Sequence, residues 1–479
     1  MNLSRRRFAL GLGAAGIAVS AGAKPKPKIA TPAMLDTIVI GAGMSGLNTA
    51  LLLEAEGQRV AVIEGRSRVG GRVHTLFDQP GTPEMGFNTM GEGYGRGIDA
   101  ARRAGVELFE TGARYRKAPP QALFLNGKSY SRETWAAAVE NPLPAPLKAM
   151  MPWEVVPRLV AQHTPLTDWT QWYLPESGVH DIALHEFLKQ QGLNEAAIRL
   201  VNDTAPAYGN SAWDVSALML EWNDGFVKGQ IAVGTKQFAV KGGNARLPIG
   251  MAKLLKGDLI TGKRVVGVDS GDAHATVYCA DGSTMQARRV VCALPLGVMR
   301  RIAFWPGLPE RQAQAIATVP YQQLVNIFAT VNRPFWEEDK LGPGMWTNSP
   351  LGTIYPQYFG ATDTEVTGLL FQARGELALA WDRMGRDAAM ASVVQTLEQL
   401  RPAAKGAVTP VHYHSWGAEE YSTGAWAVFM PGQIRDLHAA MAQPAGRVHF
   451  AGEHTATGAR GLEAALESSE RVAIEVLSA

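Results

Sequence analysis

The chain has 479 residues, 46% of them hydrophobic, with 46 basic against 44 acidic residues and a formal net charge of +2. That length buries a large core and suggests two or three structural domains. With charge nearly balanced and no basic block outside the N-terminus, nucleic acid is excluded as an expected partner and a small molecule is expected instead.

The first feature along the chain is SRRRFALGLGAAGIAVSAGAKPKPK. Its arginines Arg5 and Arg6, Phe8, a weakly apolar run to about Val19 and the small residues Ala21, Gly22 and Ala23 look like a twin-arginine export signal. The run is too short and too rich in Gly and Ala to span a bilayer securely. A cleaved leader over residues 1–23 is therefore expected rather than an anchor, and with it a periplasmic or secreted protein. Cleavage after Ala23 removes three arginines and no acids, leaving a formal charge of −1. The twin-arginine route carries folded proteins, which suits a chain that loads a cofactor before export.

Residues 37–40 are apolar but for Thr37, as in a strand buried on both faces. Gly41, Gly43 and Gly46 complete a GxGxxG directly after it, and residues 45–57 carry apolar side chains at helical spacing. Residues 59–63 read as a second, parallel strand ending at Glu64. A lone GxGxxG recurs by chance, and its glycines can serve strand–helix packing alone; the strand–turn–helix–strand setting gives it meaning. The glycines let the backbone turn tightly and approach a pyrophosphate, and the helix N-terminus at Ser45 offers unpaired N–H groups and a positive dipole end. Glu64, 21 residues after Gly43, is placed to accept hydrogen bonds from a ribose diol. Arg66, the Gly70-Gly71 doublet and Arg72 then look like a second phosphate site, which nicotinamide enzymes do not need.

The order ExxxxxGGR after that fingerprint resembles the flavoprotein family that includes monoamine oxidases, polyamine oxidases, L-amino-acid oxidases and phytoene desaturases. The resemblance implies FAD and an α/β fold: a discontinuous Rossmann-like FAD-binding domain with an α+β substrate domain of sheet and helices. Further pieces match it. Residues 241–255 resemble the family's glycine pair before a helix, residues 263–268 the strand whose backbone at Val265 touches the adenine, and residues 287–297 the strand returning to that domain. Residues 447–453 resemble the last strand, with Gly452 and Glu453 by the ribityl chain, before a helix over 461–477 whose Leu462 N–H lies near the flavin's pyrimidine edge. The implied boundaries are 35–95, 236–299 and 410–479 for the FAD-binding domain, and 96–235 and 300–409 for the substrate domain. In the latter, residues 195–203 and 214–222 have helical periodicity, and 324–331 and 368–373 are strand-like. Cys279 and Cys292 sit in strand-like runs, where a pair or two buried free thiols are both open.

Oxidising an amine through flavin needs a hydride to leave the α-carbon and the nitrogen lone pair to be free. An apolar, aromatic pocket supplies the neutral amine by desolvation, without a dedicated base. Residues 416–426, WGAEEYSTGAW, match the amine-oxidase pattern W-x-x-x-x-Y-S-x-G. The resemblance makes Trp426 one wall of the aromatic cage beside the flavin and Trp416 a packing residue near the ring, with core packing the open alternative for both. Ala425 stands where the mammalian monoamine oxidases carry a flavin-linking cysteine, so the FAD is expected to be non-covalent. Two departures limit the likeness. Asn326 replaces the family's flavin-facing lysine, which puts reoxidation by O2 in doubt and makes a periplasmic cytochrome or quinone the rival acceptor. Gly461 falls where the second cage aromatic is expected, so the pocket should be wider there or filled by another ring.

His412 and His414 share one face of an expected strand, but no third ligand is spaced to join them, and no metal is expected. Glu84 resembles a segment near the flavin, or serves a cap or turn. Arg96 and Arg460 are best placed to hold a substrate carboxylate, or are surface or phosphate-side residues. The expectation is an FAD-dependent oxidase or dehydrogenase of a primary or secondary amine. The alternatives are an L-amino-acid oxidase and, behind it, a carbon–carbon desaturase or a non-catalytic flavoprotein; a homodimer stays open.

Overall fold

The first apolar run forms the Leu35–Ile40 strand, followed by the Met44–Ala55 helix and the Val60–Ile63 strand. In the computed structural model, which describes residues 34–479, the two strands pair in parallel, with Thr37 opposite Val60 and Ile40 opposite Ile63. The export-signal reading of residues 1–23 lies outside the described residues. Both strands are covered on both faces, which is why their sequences run apolar instead of alternating. A side chain at Gly46 would place Cβ 1.9 Å from the Gly41 carbonyl oxygen, so only glycine lets the helix cross the strand this closely.

An eight-stranded sheet grows around this unit. It takes the strands Leu259–Ile260, Val265–Ser270, Ala275–Cys279, Thr284–Cys292 and Ala303–Trp305, and finally Val448–Phe450 from near the C-terminus. Thr284–Cys292 runs parallel to both Leu35–Ile40 and Val448–Phe450, so the two ends of the described chain meet across one strand. The Gly461–Ser478 helix then lies on the first helix. Leu47, Ala50, Val472 and Ala473 share one buried cluster, and Ser45 and Asn48 hydrogen-bond to Ser468 and Ser469 at 3.0 and 2.7 Å. Each buried aliphatic side chain contributes about 1.5–3 kcal/mol, and losing one partner of a buried hydrogen bond costs about 1–3 kcal/mol.

The second sheet has seven strands, in the order Val408–Ser415, Leu324–Val331, Gly368–Arg374, Thr353–Gln357, Met345–Thr347, Ala122–Leu125 and Lys128–Tyr130. The helices Glu376–Met384 and Arg386–Leu400 close one face through Trp381, Val393 and Leu397. Two expected boundaries shift. Residues 410–415 belong to this sheet, not to the FAD-binding region, because Val325 pairs with Ser415 and Asn326 with His414. Ala303–Trp305 lies beyond the expected limit at 299 yet pairs with Gly267–Asp269 in the first sheet. A motif marks the side of a crossing where its residues work; strand pairing decides where the crossing occurs.

The helical block also differs in detail. The Glu195–Ile198 helix widens into a π-turn over Arg199–Asp203. The helix expected from residue 214 starts at Ala217, because the Asp214 carboxylate accepts N–H bonds from Asn210 (3.0 Å) and Ser211 (2.9 Å) and so holds a turn. Cys279 and Cys292 are free and buried, which decides between the two open readings.

Candidate active site

The cofactor cradle is made of backbone. Gly43 faces Gly70 in an isolated parallel bridge, and the Gly70 N–H donates to the Ala42 carbonyl at 2.8 Å, so the first turn and the glycine doublet form one surface. Gly41 sits at φ 105°, and a Cβ there would lie 2.7 Å from the Ala293 carbonyl oxygen. Gly43 is the opposite case: nothing stands within 4 Å of where its Cβ would be, which leaves the backbone approachable at the uncapped start of the helix. Beyond it, a cavity of about 170 Å3 is lined by Gly41, Gly65, Val265, Leu294 and Tyr421. Buried Glu64 stands at its edge, accepting the Ala42 and Arg66 N–H groups at 2.8 Å each. An approachable helix N-terminus, a carboxylate and a half-open slot with apolar walls and a charged rim (Lys263, Arg264, Arg301, Glu420) in this order fit the phosphates, ribose and base of a dinucleotide.

Other expected cofactor residues divide. Arg72 is fixed by Glu453 at 2.9 Å and by the Ala425 carbonyl at 2.8 Å. Burial opposes its charge, but Glu453 and Tyr321 hold its pKa above the ordinary value. Arg66 is not a free phosphate cation: it is spent on Glu419 (2.9 and 2.6 Å) and Ser422 (2.7 Å), a strut between the cradle and residues 416–426. The Ser45 hydroxyl faces Ser468, leaving only its backbone for a ligand. Gly452 donates its N–H to Ser468 at 3.0 Å, while Glu453 also takes the Ala427 N–H at 3.0 Å. Leu462 stands in the first turn of a helix whose N-cap, Arg460, gives no side-chain cap.

Residues 416–426 are presented by backbone pairing to the second sheet's approach strand. The Trp416 N–H donates to Leu324 at 2.9 Å, Ala425 to Gln322 at 2.9 Å, and Gln322 to Trp426 at 2.8 Å. Gly424, at φ 147°, makes the turn and would strike the Tyr321 Cβ at 2.3 Å if it bore a side chain. The Trp426 ring meets Tyr208 edge-on, with centroids 6.2 Å apart and planes at 74°. The Arg374 guanidinium lies 5.7 Å from the Trp426 centroid, and that of Arg460 lies 5.8 Å from Tyr208. Nothing stands within 4 Å of where a Cβ at Gly461 would be. The ring that meets Trp426, Tyr208, comes from a segment, PAYGN, that carries no motif.

Trp416 and Asn326 are buried behind this wall, and each donates to the Met85 carbonyl, at 2.7 and 2.8 Å. The Asn326 Oδ1 accepts from Gln372 at 3.0 Å, and the Gln372 Oε1 accepts from Arg374 Nε at 2.7 Å. Both ends of the Asn326 amide are therefore used, and the relay aims Arg374 at Trp426. Among the described residues, neither Arg374 nor Arg460 makes an ion pair with a carboxylate; Arg460 reaches the Asn223 amide. Arg96 is corrected as a substrate residue: Glu470 holds it at 2.8 Å and Glu463 at 3.5 Å.

Glu84 is structural. It accepts from the Asn244 N–H at 2.6 Å and from the Thr75 hydroxyl at 2.9 Å, and burial pushes its pKa up to about 8. The expectation that His412 and His414 lack a companion is also corrected, because the fold brings His74 beside them. Burial pushes His74 down to about 4 and His414 down to about 3. Spacing could not reveal this, since His74 lies on the far side of the first sheet's motif. Tyr208, Gln372 and Arg374 were missed for the same reason, whereas Tyr421 was visible in the quoted motif without an assigned role.

The chain matches a family model described as flavin containing amine oxidoreductase over residues 44–477. It is 27% identical over 467 residues to the flavin-containing amine oxidase B of Sus scrofa, covering 93% of this chain and 86% of that one. A putrescine oxidase structure with bound putrescine has a TM-score of 0.72 at 24% identity, covering 93% of this chain and 99% of that one. Cyclohexylamine oxidase from Brevibacterium oxydans IH-35A has a TM-score of 0.74 at 20% identity, with the same coverage. Those two likenesses are of fold.

Proposed function

The chain belongs to the flavin-containing amine oxidoreductase family, and from that premise we propose that it oxidises a hydrophobic or aromatic primary or secondary amine to an imine, which water hydrolyses to a carbonyl. FAD, held non-covalently by the Gly41–Gly46 turn, the Gly70-Gly71 doublet, Glu64 and Arg72, would supply the acceptor for a hydride from the α-carbon. The chain's own residues bind and orient. The Trp426 indole with Tyr208 edge-on disfavours the ammonium form by excluding water, so the nitrogen lone pair is available without a dedicated base. Asn326, with both amide ends bonded, holds the wall in place and moves no proton. The observation that carries this reading is that aromatic pair, on the segment whose Ala425 carbonyl is bound by the cradle's Arg72. Anaerobic mixing of the yellow protein with aliphatic, aromatic, polyamine and amino-acid substrates tests it. Bleaching by an amine is expected; no bleaching by any of them overturns it.

A second reading has its own support. Arg374 and Arg460 flank the wall without carboxylate partners, which suits an amine that carries a carboxylate, such as an amino acid. Comparing an amino acid with its amide separates the two. The arginine reading requires the acid to bleach the protein faster at low concentration.

The acceptor we propose is a periplasmic cytochrome or quinone, supported by Asn326 standing where the family's lysine is expected and by the twin-arginine pattern at residues 5 and 6. Reoxidation in aerated buffer at turnover rates would refute it.

A further inference from the structure

Three histidines from two distant segments converge outside the cofactor cradle. His74 follows the Arg72 turn; His412 and His414 alternate along the Val408–Ser415 strand and so share one face. One ring nitrogen from each lies within 4.8 Å of the other two. The His412 and His414 rings are nearly parallel, with centroids 6.3 Å apart, and His74 lies 5.2 Å from His414. The Nε2 atoms of His412 and His414 are buried and have no hydrogen-bond partner. A buried polar atom left so is destabilising, and a native fold that keeps two together calls for a reason.

We propose that His74, His412 and His414 form a binding site for a divalent transition metal of the zinc–copper class. Three imidazoles with no carboxylate or thiolate suit Zn2+, Cu2+ or Ni2+ and not Mg2+ or Ca2+, whose ligands are oxygens. The surroundings are mixed in charge. Arg66, Arg68 and Glu419 act on His74, and Arg386 and Asp78 on His412. Glu419 is already held by Arg66 and Ser422, so the fourth position falls to water or an exogenous ligand. An ion here clamps the residues after the glycine doublet to the edge strand of the second sheet. The His74 carbonyl accepts the Met85 N–H at 2.8 Å, and the Met85 carbonyl is the acceptor shared by Asn326 and Trp416. His414 also packs edge-on to Trp416 with centroids 4.3 Å apart. The metal would therefore brace the back of the amine-facing wall while standing apart from it.

The test uses untagged, flavin-loaded protein that has been stripped with a chelator and titrated with Zn2+ alone. Calorimetry and elemental analysis after gel filtration should give one ion per chain, and Co2+ in its place should show the visible bands of nitrogen coordination. His412→Ala should weaken Zn2+ binding by at least about tenfold, since even loss of a group that merely supports a ligand costs that much. His163→Ala, an exposed histidine elsewhere, should change nothing. The flavin-to-protein ratio should be the same in all three proteins, so failure here leaves the amine-oxidation reading standing. No Zn2+ uptake up to millimolar ion, or uptake that His412→Ala leaves intact, overturns the proposal. Should His414→Ala lose its flavin by misfolding, His412→Ala and the Co2+ spectrum still decide.

Discussion

In the cofactor cradle the contacts start from backbone N–H groups: Gly70 N–H to the Ala42 carbonyl, Ala42 N–H to the Glu64 carboxylate, and a bare Gly43 at the helix start. At the amine-facing wall they are made by side chains brought from four places, namely Tyr208, Asn326, Gln372–Arg374 and Trp426. Backbone turns tolerate few residue types, so the cradle announces itself as a pattern of glycines within a short stretch. The wall requires only that rings and amides meet, and many sequences satisfy that. The cradle's pattern is accordingly narrow, while the residues of the wall can vary.

The largest expected effect breaks the cradle. Gly46→Ala puts a methyl 1.9 Å from the Gly41 carbonyl oxygen, where neither backbone can yield without moving the first strand. A cost of about 3 kcal/mol or more is expected, together with loss of bound FAD. Absorbance at the flavin bands of the purified variant measures it, and a normally yellow protein would mean the helix shifts as a body.

Next come two substitutions that should move in opposite directions. Trp426→Ala should keep the flavin and slow its anaerobic reduction by roughly a hundredfold, because a misplaced reacting group costs about that much. Glu64→Ala should strand two N–H groups and lower FAD occupancy, at about 1–3 kcal/mol, while reduction per bound flavin stays near wild type. Equal effects on both measurements would erase the distinction between the regions. A smaller, selective effect belongs to Arg374→Gln: affinity for a carboxylate-bearing amine should fall by roughly tenfold to a hundredfold, the worth of a charge-assisted contact, with a plain amine unaffected. Saturation curves for the acid and its amide check it.

This contrast also explains what could be read from residues alone. The Leu324–Val331 strand appears at the expected positions and the C-terminal helix from Gly461 begins where expected, because each is an apolar run or a helical period ending at a turn signal. The cradle glycines and Glu64 lie within one short stretch and meet there for the same local reason, while Arg72 is held by residues more than 350 positions away. Arg66 is bonded to Glu419, 353 residues away, and Arg96 to Glu470, 374 away. Ion pairs formed by folding leave no trace in spacing. The strand with His412 and His414 joins the second sheet, although the expected boundary at 410 groups it with the FAD-binding domain, because its partners, Asn326 and its neighbours, are set by register.

The smallest expected effect lies where the two regions join. Glu84 ties Thr75 to the Asn244 N–H, and burial raises its pKa to about 8 against the hydrogen bonds that oppose the rise. A carboxyl whose folded-state pKa lies above its unfolded value of 4.5 stabilises fully below that value, and the contribution is lost as pH rises through about 8. Glu84→Gln cannot ionise but keeps the shape. The wild type should therefore lose stability relative to this variant as pH rises from about 7 to about 8, by about 1 kcal/mol, whereas disruption of the Asn244 bond by the amide would add only an offset that does not vary with pH. Thermal melts of both proteins across that range measure the difference. A gap that does not change with pH would mean Glu84 is already ionised at neutrality, and that the junction is held by charge and not by a buried neutral acid.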